Sequence, residues 1–358
     1  LLSLSVIESG RISVNEEFPK YGRPFGGAER DGKFYTDKAP GSSIVAIPSV
    51  AAYKRFEGEP TIEEITNFAR KFSIIPFTII AVLLLRALLT GWGVRESVAN
   101  RVAVAFAVGT PILHYGAAVY GHALVATASL GAAFALQKAT RASDTTKKRA
   151  WQFSMGLVGG VSFAIEYQAA VLCISLAIAY LAIPEHRNIS SLIAPAFGAA
   201  IPIGLVFLYN DAAFGGPLET SYAHLHQAAT SQTHSKGLFG VTFPRPEAIY
   251  GLLASPARGL LFCAPVVAAG LIAIGRQWKR ERWPALFLIS AFVTYFLIAA
   301  GTDVWAGGWS FGPRLLVPIM GLAALPAGVL LDEWTGDSPV KATAMRGYFA
   351  AGILYNGF

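Results

Sequence analysis

The sequence predicts an all-α polytopic membrane protein: a helical bundle of about nine to ten spans of roughly 20 residues each, with a large N-terminal loop carrying interfacial helices. Three observations carry that prediction. Hydrophobic residues make up 54% of the 358 and charged residues only 14%, against about 25% charged in a soluble domain. Apolar runs recur from Phe72 onward. Basic residues collect in the short connectors between alternate runs, as membrane orientation requires.

Residues 1–71 are the most polar part, with Glu8, Glu16, Glu17, Glu29, Asp31 and Asp37 among lysines, glycines and prolines, and they read as the first extramembrane loop. Ser42 to Tyr53 is apolar but too short to span, so an interfacial or re-entrant helix is expected there. Thr61 and Glu64 have the spacing of a capping box ahead of the first full span. Apolar runs then cover Phe72 to Leu89, Val102 to Leu113, Val119 to Leu136, Phe153 to Ile165 and Ala169 to Ile183. They continue over Leu192 to Tyr209, Gly259 to Ile274, Ala285 to Ala300, Leu315 to Leu331 and from Gly347. Residues 72–358 thus form a transmembrane unit interrupted by one long loop, 210–258. The chain opens on Leu1 and ends within an apolar run, which predicts a piece of a longer protein.

Arg95, Lys138, Arg141, Lys147, Lys148, Arg149, Arg187, Arg276, Lys279, Arg280, Arg282, Lys341 and Arg346 fall in alternate connectors, which are cytoplasmic by the positive-inside rule. Parity then sends residues 1–71, the bends at His114 to Gly121 and at Glu166, the loop 210–258 and Asp303 to Arg314 to the other face. The net charge of +7 is accounted for by this distribution, and nucleic acid is not an expected partner. Cys173 and Cys263 lie inside apolar runs and read as small buried hydrophobes, not as a disulfide or metal ligands.

Two stretches carry the chemistry, DGKFYTDKAPG from Asp31 to Gly41 and DVWAGGWSFGPR from Asp303 to Arg314. Lys38 beside Pro40 and Gly41 supplies a point charge for a phosphate, or is a solvated loop lysine. Asp31 and Asp37 are general-base or metal-ligand candidates, or turn formers. Arg314, after Gly-Pro at the mouth of a span, is costly unless paired or wetted, and a lipid phosphate suits it; the alternative is snorkelling. Trp305, Trp309 and Phe311 can stack on a sugar or line an acyl chain, or simply sit at the interface. Glu166 with Tyr167 occupies a tight hairpin between spans, and His122 and His114 flank another bend. His224, His226 and His234 have one ligand spacing but no fixed third partner, so no metal site is predicted from them. Asn188-Ile-Ser190 falls on the cytoplasmic side and is discounted as a glycosylation acceptor.

The stretch DGKFYTDKAPGSSIVAIPSV resembles the first outer loop of bacterial GT-C type membrane glycosyltransferases, the group of protein O-mannosyltransferases and the aminoarabinose transferase of lipid A. In that group a Tyr and a Lys-Pro-Pro-like turn precede an interfacial helix; here Tyr35 precedes Lys38-Ala39-Pro40-Gly41, a departure from Lys-Pro-Pro. GTPILHYGAAVYGHAL from Gly109, SPARGLLFCAP from Ser255 and GGWSFGPRLLVP from Gly307 are similar to recurring pieces of its uncharacterised bacterial branch. The resemblance implies transfer of a sugar from a polyprenyl-phosphate carrier to an acceptor on the outer face of the bacterial cytoplasmic membrane. The partners it implies are that lipid-linked donor, membrane lipids and a glycan, lipid or protein acceptor of the envelope.

Under that reading Lys38 and Arg314 hold the donor phosphate, and Asp31, Asp37 and Glu166 are the catalytic candidates. Tyr35, His122, Tyr167, Asp303, Trp305 and Trp309 line the substrate. Relatives place a key acid upstream of the position of Leu1. No cofactor is implied, and the need for a divalent metal is left open. A lipid-linked sugar transporter or flippase, or a noncatalytic membrane subunit, is the alternative. Mostly clean spans with polar groups gathered at one face favour the enzyme.

Overall fold

The protein is described here from a computed structural model covering residues 1–357 except Phe25, Glu59, Pro60, 228–236, Leu238, Phe239 and Trp309. Its long helices turn apolar faces outward. In Ile189–Phe214, Ile193, Phe197, Ile201, Leu205 and Leu208 are exposed at helical spacing, while Gly198, Pro202 and Val206 are buried on the other side. That inversion of the soluble pattern fits a helix whose solvent is lipid. Among the described residues four helices are long and apolar enough to cross a bilayer, Ile62–Gly91, Ile189–Phe214, Arg282–Gly301 and Arg314–Asp337, with the shorter Tyr167–Leu181 also apolar.

The N-terminal region comprises α1 (Leu2–Ser9), α2 (Phe18–Tyr21), the hairpin β1 (Ala28–Arg30) and β2 (Lys33–Tyr35), α3 (Gly41–Glu57) and α4 (Ile62–Ala69). Asp31 and Gly32 turn the hairpin with φ of 51° and 72°, the left-handed pair that an Asp-Gly turn supplies. Helix α3 realises the expected short apolar helix, and the capping box is present. Glu64 N–H donates to Thr61 Oγ1 at 3.3 Å, and Thr61 N–H to Glu64 Oε2 at 2.8 Å. Lys54 on α3 pairs with Glu8 on α1. Burial pushes the Glu8 carboxyl up, but the hydrogen bond and charge of Lys54 outweigh it and hold the group below its ordinary range.

The bundle continues with α5 (Ile75–Gly91), joined to α4 through a π-helical turn at Arg70–Ile74, then α6 (Glu96–Val108), α7 (Ile112–Tyr115), α8 (Gly121–Arg141), α9 (Thr145–Ile165), α10 (Ala170–Leu181) and α11 (Ile189–Phe214). It closes with α12 (Pro246–Ala254), α13 (Leu260–Cys263), α14 (Pro265–Ile272), α15 (Ile274–Arg280), α16 (Arg282–Gly301), α17 (Val317–Asp337) and α18 (Pro339–Gly357). Two expected spans are broken. The run Val102 to Leu113 is interrupted at Gly109-Thr110-Pro111, where α6 ends and only one helical turn resumes. The run Gly259 to Ile274 is broken at Ala264, whose φ of −149° and ψ of 63° reflect the exclusion of helical geometry before a proline.

Helix α17 is the axis of the bundle, buried at every position from Val317 to Leu331. Small residues let its neighbours approach. A Cβ on Gly321 would lie 2.6 Å from Leu130, one on Gly328 2.6 Å from Leu89, and one on Gly270 only 1.8 Å from the Ala323 carbonyl. Helices α9 and α11 touch through Gly156, Gly160 and Gly198 in the same way. These alternating helices bring the turns at 119–122 and 165–168 together with Thr302, Val304, Arg314 and Leu315 at one end of the bundle, against α3 and α4.

Candidate active site

At that end lies a cavity of about 630 Å³. Its lining includes the polar residues Asp37, Lys38, Ser42, Ser43, Tyr120, His122, Glu166, Tyr222 and Arg314, and the apolar residues Leu4, Ala46, Val50, Ile62, Ile65 and Ala69 from α1, α3 and α4. The two stretches singled out in the sequence, around Lys38 and around Arg314, therefore face one space.

Packing forces that juxtaposition. The first residue of α3, Gly41, lies against the end of α9, so that a Cβ there would meet the Ala164 carbonyl oxygen at 2.4 Å. The turn before it is fixed by Ser221, whose hydroxyl donates to the Asp37 carbonyl at 3.0 Å. Arg314 is placed by a loop with left-handed Gly307, Gly308 and Gly312. The Arg258 guanidinium clamps that loop, donating from Nη1 to the Ser310 carbonyl at 2.7 Å and from Nη2 to the Gly308 carbonyl at 2.9 Å. The Tyr115 hydroxyl donates to the Phe311 carbonyl at 2.8 Å. On the far wall, Thr242 N–H donates to the Gly301 carbonyl at 2.8 Å, which sets Gly240 and Val241 beside Thr302.

Charge is arranged in three sets. Lys38 Nζ stands 3.4 Å from Asp37 Oδ2 and 5.6 Å from the centre of the Tyr222 ring. Burial, and then the charges of Glu166 and Asp37, push the Tyr222 phenol up, so it stays a neutral hydroxyl. His122 Nδ1 lies 2.6 Å from Glu166 Oε1, both side chains being 14% exposed. The oxygen is off the line of a ring N–H, since Nδ1 has no aligned hydrogen bond, so the two meet as a close contact. The His122 ring is parallel to that of Tyr120 at 6.1 Å, and the Arg314 guanidinium sits 5.9 Å from the Tyr120 ring. Among the described residues Arg314 has no carboxylate partner, and its buried Nε donates to nothing. An unsatisfied buried donor costs about 1–3 kcal/mol, a cost that a bound anion removes.

The other expected site residues lie elsewhere. Asp31 is at the exposed tip of the hairpin, 84% exposed beside Arg30, and is not part of the cavity lining because the Asp-Gly turn points it outward. Tyr35 packs edge-on against Phe214 under the hairpin. Tyr167 neighbours the cavity without lining it, its hydroxyl donating to Asn210 Oδ1 at 2.8 Å. Asp303 pairs with Arg245 at 3.2 Å, and Trp305 packs on Gly251. Trp309 and His234 lie outside the described residues. His224 faces Glu219 and His226 faces Glu29, so the two diverge. Among the described residues no group of three His, Cys, Asp or Glu is placed to hold a metal. Sequence reasoning missed Tyr120, Tyr222, Ser42 and Ser43. Only Tyr120, two residues before His122 in a Gly-flanked bend, gave a signal.

No protein-family model and no curated protein matches the chain. Two solved structures are similar to it, both of ArnT from Cupriavidus metallidurans. The apo form aligns with a TM-score of 0.60 at 15% identity, and the form bound to undecaprenyl phosphate with 0.55 at 13%. Each alignment covers 96% of this chain and 56% of ArnT, so the chain spans little more than half the length of the protein it resembles. The apolar helices and this likeness give the chain the membrane-helix fold seen in ArnT.

Proposed function

We propose that the protein is a glycosyltransferase that moves a sugar from a polyprenyl-phosphate carrier to an acceptor hydroxyl. The reaction takes place at the outer face of the bacterial cytoplasmic membrane, with a glycan, lipid or protein of the envelope as acceptor. The observation that carries this reading is one cavity lined both by Lys38, Arg314, which has no carboxylate partner among the described residues, and two carboxylates, and by apolar residues of α1, α3 and α4. That is the polarity of a lipid phosphate: cations for the headgroup, an apolar wall for the tail. ArnT, of the same fold, is known in a form bound to undecaprenyl phosphate.

Arg314 and Lys38 hold the donor phosphate and stabilise the charge it gains on leaving. The bond between the sugar carbon and the phosphate oxygen breaks, a bond from that carbon to the acceptor oxygen forms, and the acceptor proton passes to a carboxylate. Glu166 takes that proton, with His122 fixing its orientation, while Asp37 is held by Lys38. A transporter is disfavoured because the charged groups Asp37, Lys38, Glu166 and Arg314 gather in one cavity.

The test is binding of undecaprenyl phosphate to purified protein, with transfer from a lipid-linked sugar measured in parallel. Arg314→Ala and Lys38→Ala should each weaken binding by about 10- to 100-fold, the worth of one charge-assisted contact. Glu166→Gln should bind normally and fail to transfer. Binding indifferent to both cations would refute the assignment.

A further inference from the structure

The end of the bundle opposite the cavity carries a second built feature. Between α15 and the end of α17 is an open pocket of about 440 Å³ lined by Arg276, Lys279, Arg280, Asp332 and Glu333. Its carboxylates are already engaged. Arg276 pairs with Glu333, and Arg95 Nε lies 2.7 Å from Asp332 Oδ1. Among the described residues Lys279 and Arg280 have no carboxylate within 4.0 Å, so two cations stand in excess.

The pocket lies about one bilayer thickness from the cavity. Asp332 follows Arg314 by 18 residues of nearly continuous helix, about 27 Å at 1.5 Å per residue, close to the ~30 Å thickness of a hydrocarbon core. Trp278, 40% exposed, and Ile272, 80% exposed, flank it with the amphipathic and apolar surface of a membrane interface. Lys279 and Arg280 are both exposed, and the negative surface of an anionic leaflet attracts such cations.

We propose that this pocket binds the phosphodiester headgroup of an anionic phospholipid, with Lys279 and Arg280 on the phosphate and Arg95 and Arg276 serving to neutralise the two carboxylates. The site is independent of the sugar-transfer reading. The test is the thermal midpoint of purified protein in vesicles of phosphatidylcholine with and without phosphatidylglycerol, together with phosphatidylglycerol affinity. Wild-type protein should be stabilised by phosphatidylglycerol, and Lys279→Gln/Arg280→Gln should lose that shift and bind the lipid about 100-fold more weakly, the worth of two charge-assisted contacts. Lys147→Gln/Arg149→Gln, which removes two cations from another connector at the same end, should keep the shift. Equal loss in both double variants would reduce the effect to general surface charge and overturn the proposal. An equal shift from inorganic phosphate in phosphatidylcholine vesicles would overturn the lipid assignment in favour of a soluble anion.

Discussion

Gly41→Ala isolates the contact that builds the cavity. The added Cβ would lie 2.4 Å from the Ala164 carbonyl oxygen, 2.5 Å from its carbon and 2.7 Å from the Ile165 nitrogen. All three are backbone atoms at the end of α9, so no side chain can swing aside. Ordinary contact begins near 3.4 Å, so α3 must withdraw from α9 by about 1 Å, and overpacking of this kind costs roughly 1–3 kcal/mol. Lys38 precedes Gly41 by three residues and Glu166 follows Ala164 by two, so the same withdrawal separates the phosphate-holding group from the carboxylate. A 1 Å misplacement costs on the order of 100-fold in rate. The control is Gly204→Ala in α11, where an added Cβ meets nothing within 4 Å and the loss of glycine freedom favours the helix by about 0.5–1 kcal/mol. The assay is the thermal midpoint in detergent together with transfer from a lipid-linked sugar. Gly41→Ala should lower both while Gly204→Ala lowers neither. Full activity and an unchanged midpoint for Gly41→Ala would refute the claim that this contact sets the cavity.

Arg258→Lys keeps the charge but loses the planar fork that holds the Ser310 and Gly308 carbonyls. It should weaken undecaprenyl phosphate binding about 10-fold through the loop that carries Arg314, read as a rise in KM with kcat nearly unchanged. His186, buried between α10 and α11 and stacked on Tyr180 at 4.2 Å, gives a pH signature. Burial, and then the charge of Lys148, hold its imidazole below the ordinary 6.5, so below that pH the unfolded chain binds more protons than the folded one. Stability is complete above about 6.5 and falls as the pH drops through the folded-state value. His186→Phe, which keeps the stack, should flatten the dependence of the thermal midpoint between neutral pH and pH 5.

Much of this was legible in the sequence because a membrane chain has little freedom. Apolar runs must cross, basic connectors must alternate, and parity then sends Lys38, His122, Glu166 and Arg314 to one face without any knowledge of packing. Local chemistry was legible too: the Thr61–Glu64 box and the Asp31-Gly32 turn need only neighbouring residues. The breaks at Gly109 and Ala264 were also written there, in a glycine and two prolines whose effect the apolar runs masked.

What the tertiary structure alone decided is which of the polar groups at that face share a space. Asp31 and Asp37 are six residues apart in one loop, yet the hairpin turns one outward and α3 carries the other to the cavity. Tyr222 arrives from a long loop with no periodicity to announce it, and Arg258 acts on carbonyls some 50 residues further along the chain. His122 and Glu166 come within 2.6 Å only because α8 and α9 are antiparallel neighbours, with Gly121 leaving room for the carboxylate. Sequence determines which groups can reach a membrane face, since burial in lipid is a property of each segment; their pairing depends on how helices distant in sequence pack, which no single segment encodes.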